Sequence, residues 1–274
     1  MQACFIPVGA PNVRIHPNKM AEAKQEEKFC RFNAQLIHAM KLYAFVLLLF
    51  VTTLFSCNRW EDVCPYDETT AEYGLTNFDR LRMGNAFKVR VVPGNTYRIV
   101  ARGHRSDVQD LSVKKVNDNL EISYNHWTRN RKHPMEIEIT MPALEKVEFS
   151  GAVNARVWGF EDAEDLEVEL SGASELAFTG HTERLQADLS GASRLDLEGT
   201  TEQLDVECSG ASKLRAYQYP SKQAKLDLSG ASDAQISVAE QLICKASGAS
   251  SLRYRGNPRT NLDLSGGSTV SQDN

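Results

Sequence analysis

Between residues 147 and 270 the hydrophobic positions come in short period-two runs that break at one recurring tetrapeptide, Ser-Gly-Ala-Ser. Aligned on its first serine, the apolar column one residue earlier reads Phe149, Leu170, Leu189, Cys208, Leu228, Ala246 and Leu264. The column three residues earlier reads Val147, Val168, Ala187, Val206, Leu226, Cys244 and Leu262. Five residues after the serine stand Ala155, Leu176, Leu195, Leu214, Ala234, Leu252 and Val270, and two further on Val157, Phe178, Leu197, Ala216, Ile236 and Tyr254. Alternation on both sides of the turn predicts two short strands per repeat, each with one buried face. The repeats begin at Ser150, Ser171, Ser190, Ser209, Ser229, Ser247 and Ser265, a nearly fixed period. That period is too short for strand, helix and returning strand, because a parallel crossover alone takes about a dozen residues. The pattern therefore predicts an all-β chain, a single-stranded parallel β-helix whose seven marked coils stack and share one interior.

Upstream, Phe87, Val89 and Val91 alternate up to Pro93-Gly94-Asn95, and Tyr97, Ile99 and Ala101 alternate after it. Leu111 and Val113, then Asn117-Asp118-Asn119, then Leu120, Ile122 and Tyr124 repeat the form. These N-terminal strands fit either hairpins or additional coils, and in both cases they would cover the open end of the stack.

The Ser-Gly-Ala-Ser series, preceded by Ile137-Glu138-Ile139-Thr140-Met141-Pro142-Ala143-Leu144 and by Phe87-Lys88-Val89-Arg90-Val91, resembles the "putative auto-transporter adhesin, head GIN domain" family over residues 75–271. The resemblance implies a right-handed β-solenoid in envelope proteins and brings no catalytic residues. Val153 in the first copy and Gly267 in the last depart from the motif, as terminal repeats do when they cap a stack.

Ahead of this domain, Met40-Lys41 followed by the apolar run Leu42–Phe55 has the length of a secretory signal rather than of a membrane span. Leu54-Phe55-Ser56-Cys57 looks like a lipobox, which makes residues 40–57 a lipoprotein signal peptide and Cys57 the lipidated residue. An uncleaved signal anchor is the alternative. Residues 1–39 are polar and aperiodic, and are expected to be an extension preceding a true start at Met40, or else a disordered segment inside the cell. Residues 58–74 read as a tether. Together these place the chain in the cell envelope as an outer-membrane lipoprotein, periplasmic or surface-exposed, with the membrane as a partner through its anchor.

The chain carries 31 Lys/Arg against 36 Asp/Glu. Six and three of these precede Asn58, so residues 58–274 hold 25 against 33, a formal −8. An acidic body excludes non-specific nucleic-acid binding. Cys208 and Cys244 sit in different inward columns two coils apart, about 10 Å, which is too far for a disulfide. They read as small buried hydrophobes, and no spacing suggests a metal or other cofactor.

Three surface features carry candidate chemistry. The loop 125–133 sets Trp127 among Arg129, Arg131 and Lys132, a combination suited to sugar rings or lipid headgroups, and equally to a packed hairpin tip. Two residues before each serine, Glu148, Glu169, Asp188, Glu207 and Asp227 form an acidic column that either binds calcium or is screened by Lys146, Lys225, Lys245 and salt. On the neighbouring face Arg156, Arg194, Lys213, Arg215 and Arg253 mix with Glu175, Asp196 and Asp233, a solvated face whose functional option is contact with acidic glycans. A polysaccharide-active enzyme would need converging acid and base groups in a cleft, and coils this short leave no wall for one. The reading is a non-enzymatic binding or adhesion module for a surface glycan or protein, with a ligandless structural or stress-related envelope protein as the alternative.

Overall fold

The computed structural model describes residues 66–273, except Trp127, Arg129 and the side chain of Asp162. The signal segment, Cys57 and the first part of the tether lie outside these residues.

The long strands β9 (Asn154–Leu170), β10 (Glu175–Leu189), β11 (Arg194–Cys208), β12 (Lys213–Leu228) and β13 (Asp233–Ala246) each form most of one coil and pair in parallel with the next. Along β10, Leu176, Phe178, Leu185, Ala187 and Leu189 are buried, and the alternation breaks at the exposed pair Glu183-Arg184. That break is the second bend of the coil, opposite the Ser-Gly-Ala corner. The solenoid is therefore built as the hydrophobic columns require. Register Leu176↔Leu195↔Leu214↔Ala234↔Leu252 places one predicted column side by side through five coils.

Stacking is tightest at the corners. From the second marked corner on, each alanine donates its N–H to the glycine carbonyl of the preceding corner, as in Ala192 N to Gly172 O and Ala211 N to Gly191 O, both 2.7 Å. Gly191 has φ +72°, and a Cβ on it would lie 2.6 Å from Gly172 O. Glycine is thus required both for its conformation and for the close approach of two backbones. The second serine of each motif points inward. Ser250 Oγ donates to Ser247 O at 2.9 Å, whereas the Oγ of Ser193, 1% exposed, has no hydrogen-bond partner among the described residues, and Val153 fills this place in the first coil. Ser193→Ala is expected to leave stability unchanged or raise it, while Ser250→Ala costs about 1 kcal/mol. Chemical denaturation of the two variants compares them directly.

The N-terminal half resolves the choice between hairpins and coils by containing both. β2 (Arg80–Met83) and β3 (Phe87–Pro93) flank an unmarked corner at Gly84-Asn85 and stack beneath β8 (Lys146–Phe149) and the first part of β9. Asn85 takes φ +69° and accepts from Ala152 N at 2.9 Å, so it replaces the corner glycine. Beneath that coil lie β6 (Asn119–Tyr124) and β7 (Met135–Met141), later in sequence but earlier in the stack. A reversed coil closes the end. β4 (Arg98–His104), the single turn α1 (Arg105–Val108) and β5 (Leu111–Val116) complete it, with the two strands antiparallel to β7 and β6. The β5–β6 hairpin turns at Asn117, φ +54°. The Pro93-Gly94-Asn95 pair is not a hairpin, because β7 lies between β3 and β4.

Part of the stretch read as a tether, residues 58–74, is a strand. Glu68–Tyr73 form β1, antiparallel to β4. Its side chains are exposed or half-buried, so its sequence shows little apolar periodicity. At the other end β14 (Ser251–Arg255), β15 (Arg259–Leu264) and β16 (Thr269–Gln272) complete the stack. There Leu262 and Leu264 of the inward columns are 39% and 44% exposed.

Candidate functional site

Within the loop after β6, Arg131 is packed against the body of the protein. The Arg131 guanidinium lies 3.4 Å over the Tyr124 ring, with Nε 3.7 Å from Asp107 Oδ1 and Nη2 paired with Asp110 Oδ2. Nη2 also donates to His126 O at 2.9 Å. The three charged side chains are 7–11% exposed. Asp110 is hydrogen-bonded by His126 Nδ1 at 2.6 Å and by His126 N, and these bonds, with that of Arg131, hold its carboxyl below the usual range despite burial. Burial pushes the Tyr124 hydroxyl up to about 12. Arg131 is accordingly a strut between the loop and α1. Lys132 is exposed, and Trp127 and Arg129 lie outside the described residues. The fold also gathers rings no spacing linked, with His133 4.6 Å from Tyr66 and stacked on His104 at 5.9 Å.

The acidic column is continuous, Glu148↔Glu169↔Asp188↔Glu207↔Asp227↔Lys245, one residue per strand. Its Glu148–Glu169 end is compensated. Lys146 Nζ reaches Glu167 at 2.9 Å and Glu169 at 2.6 Å, and Arg82 bridges Glu148 at 2.8 Å and Glu121 at 3.1 Å. In the middle, burial first and then Glu207 and Glu169 raise the Asp188 carboxyl. Among the described residues no three His, Cys, Asp or Glu side chains are placed to hold a metal ion. A carboxyl raised on folding favours the folded state only while protonated, so its penalty is present at neutral pH and fades as pH falls through the carboxylate range. Asp188→Asn should therefore raise Tm at pH 7 by about 2 °C, with the gain vanishing near pH 3. Melting curves at both pH values test this.

A third feature carries no motif in the sequence. Trp158 stands on the outward side of β9, 42% exposed, beside a bulge where the register against β10 shifts twice, at Gly159 (φ +87°) and again before Ala163. Across from it is Thr179 of β10, and two residues back on its own strand is Arg156. Arg156 pairs in register with Arg90 of β3, and it has no ion-pair partner among the described residues. Arg90 is 3.3 Å from Glu138, and Arg98 is 3.0 Å from Glu72. Hollows of about 520 and 290 Å³ flank the indole. Val92, Arg98, Glu138 and Thr140 help line one, and Ala177 and Thr179 the other, with Arg90 and Arg156 shared. The sequence signal was coil length. The interval from Ser150 to Ser171 is longer by two than that from Ser171 to Ser190, and the surplus is the bulge that sets Trp158 at its rim.

The same surplus corrects the expectation that no wall could form. A hollow of about 770 Å³ lies between Pro142–Lys146 and residues 159–167. Three of its carboxylates are held in ion pairs, Glu145 with Arg80, Asp165 with Arg184 and Glu167 with Lys146. Cys208 and Cys244 are buried and free, as expected, and burial pushes their thiols up to about 12 and about 11. No described helix is long and apolar enough to cross a membrane.

Residues 77–258 match the family model "Putative auto-transporter adhesin, head GIN domain". No curated protein matches the chain. Three crystal structures share the fold. One is of a "putative adhesin" from Bacteroides fragilis NCTC 9343, with TM-score 0.70, 18% identity, and 75% of this chain and 96% of that one covered. A "putative lipid binding protein" from Parabacteroides distasonis ATCC 8503 gives 0.64 and 11%, covering 77% and 98%. A "putative adhesin" from Parabacteroides merdae ATCC 43184 gives 0.59 and 16%, covering 77% and 98%. At these identities the neighbours speak for the fold, whereas the family model spans most of the chain and every marked corner but the last. The chain belongs to the family described as "Putative auto-transporter adhesin, head GIN domain".

Proposed function

We propose that the chain is a lipid-anchored, non-catalytic binding module of the cell envelope, held at the outer membrane through Cys57 and engaging a surface glycan or protein ligand. The observation that carries this is the outward face around Trp158, where a large aromatic is left uncovered on a rigid sheet between two hollows. The adhesin description of the family supports the same reading, as does the lipobox ending at Cys57. The carboxylates of the acidic column are strung one per strand, and three of those lining the hollow at the β9 bulge are tied in ion pairs, which supports a surface role over general acid–base chemistry. Two measurements test the proposal together. Radiolabelled palmitate should label the protein and fail to label Cys57→Ser, and protease treatment of intact cells should remove the domain. Absence of lipid would refute the anchor, and full protection from protease would refute adhesion at the cell exterior.

A further inference from the structure

We infer that the Trp158–Arg156 face is a binding site for a carboxylate-bearing pyranose, a uronic acid within an anionic polysaccharide. The inference rests on the binding-module reading above and supplies its ligand class. An exposed indole presents a π-face with negative partial charge, to which the C–H groups of a sugar ring are attracted, and it buries a large area with few rotatable bonds. The neighbours of Trp158 toward β10 are the small Ala177 and Thr179, and toward β3 and β7 they are Val92 and Thr140, so both flanks are open. The two hollows meet at the indole, which leaves room for sugar units on either side in a chain running across the strands.

Charge selects among sugars. Arg156 is two residues from Trp158 on the same face, about 7 Å along the strand. A pyranose stacked on the indole thus brings an exocyclic carboxylate within reach of the guanidinium, whose planar fork suits that group. Arg90 and Arg98 line the same hollow but are engaged by Glu138 and Glu72, which leaves Arg156 as the cation with unspent pairing capacity. A membrane surface fits less well. Both hollows are open to solvent rather than closed around an acyl chain.

Isothermal calorimetry on the full chain in detergent, with oligogalacturonate and the matching neutral galactan oligomer as probes, tests this. The wild-type protein should bind oligogalacturonate and prefer it to galactan. Trp158→Ala should weaken binding about tenfold or more, and Trp158→Phe should restore part of it. Arg156→Gln should erase the preference for the acidic oligomer, and thermal melts should show all three variants folded. No heat with oligogalacturonate, affinity unchanged in both the Trp158→Ala and Arg156→Gln proteins, or Trp158-dependent binding to phosphatidylglycerol vesicles in place of sugar would each overturn the site. Failure of the broader reading shows separately. Cells that adhere equally with Trp158→Ala keep the adhesin and lose the site, whereas a domain shielded from protease loses adhesion while calorimetry still decides the sugar.

Discussion

Replacing Gly191 by alanine is expected to destabilise the protein by about 4 kcal/mol and lower Tm by about 10 °C, although it adds one methyl group at an exposed position. Two costs combine. A side chain in the left-handed region is strained by roughly 1 kcal/mol or somewhat more. The new Cβ also falls 2.6 Å from Gly172 O, a backbone atom that cannot rotate away. Relief requires the two coils to separate, which lengthens Ala192 N→Gly172 O at 2.7 Å and strains its neighbours Ser190 N→Leu170 O and Arg194 N→Ser174 O, both 2.9 Å. Each coil is held mainly by the coils next to it, so the loss should also divide the rod and broaden the melt. Gly267→Ala is the control. Its Cβ meets nothing nearer than Gly248 O at 3.6 Å, and the other marked corners carry alanine there. That change should alter stability by no more than about 0.5 kcal/mol. Equal Tm values for the two variants would mean that the corners are not in backbone contact.

The corner also explains why so much of the rod was legible. Period-two burial says which residues face inward, and a recurring glycine corner says where each marked coil restarts. Together they place Leu176, Leu195 and Leu214 side by side without reference to anything distant. The N-terminal cap lacks that second signal. Asn85 substitutes for glycine at a corner with no serine, and the strand–turn–strand pattern of β6 and β7 is equally compatible with a hairpin. Which neighbour a strand chooses there is decided by fit in three dimensions, so β7 could slip between β3 and β4 unannounced. Function was harder to read for a related reason. Exposure of an aromatic depends on what its neighbours cover, and Trp158 is distinguished only by small residues on adjacent coils and by a bulge that counting residues per repeat reveals.

Two arginines from different surface features, one packed and one exposed, set the second large effect. Arg131→Ala should lower Tm by about 6 °C or more while Arg156→Gln leaves it unchanged. Removing Arg131 strands the carboxylates of Asp107 and Asp110 in a buried setting without their cation, and uncovers the Tyr124 ring that the guanidinium lies on. Arg131→Lys should recover only part, because an ammonium cannot present a planar fork to two carboxylates and a ring at once. The pH dependence has a definite sign. The Asp110 carboxyl is lowered in the folded protein, first by its hydrogen bonds from His126 and then by that from Arg131, so the share due to Arg131 is fully present above the ordinary carboxylate range and is lost as pH falls through the depressed value. The gap in Tm between wild type and Arg131→Ala should thus be wide at pH 7 and narrow toward pH 2. A gap that stays constant with pH would mean that the arginine acts through packing on Tyr124 alone. An Arg131→Ala protein that melts like wild type but loses its ligand would make the loop a binding surface, in competition with the face around Trp158.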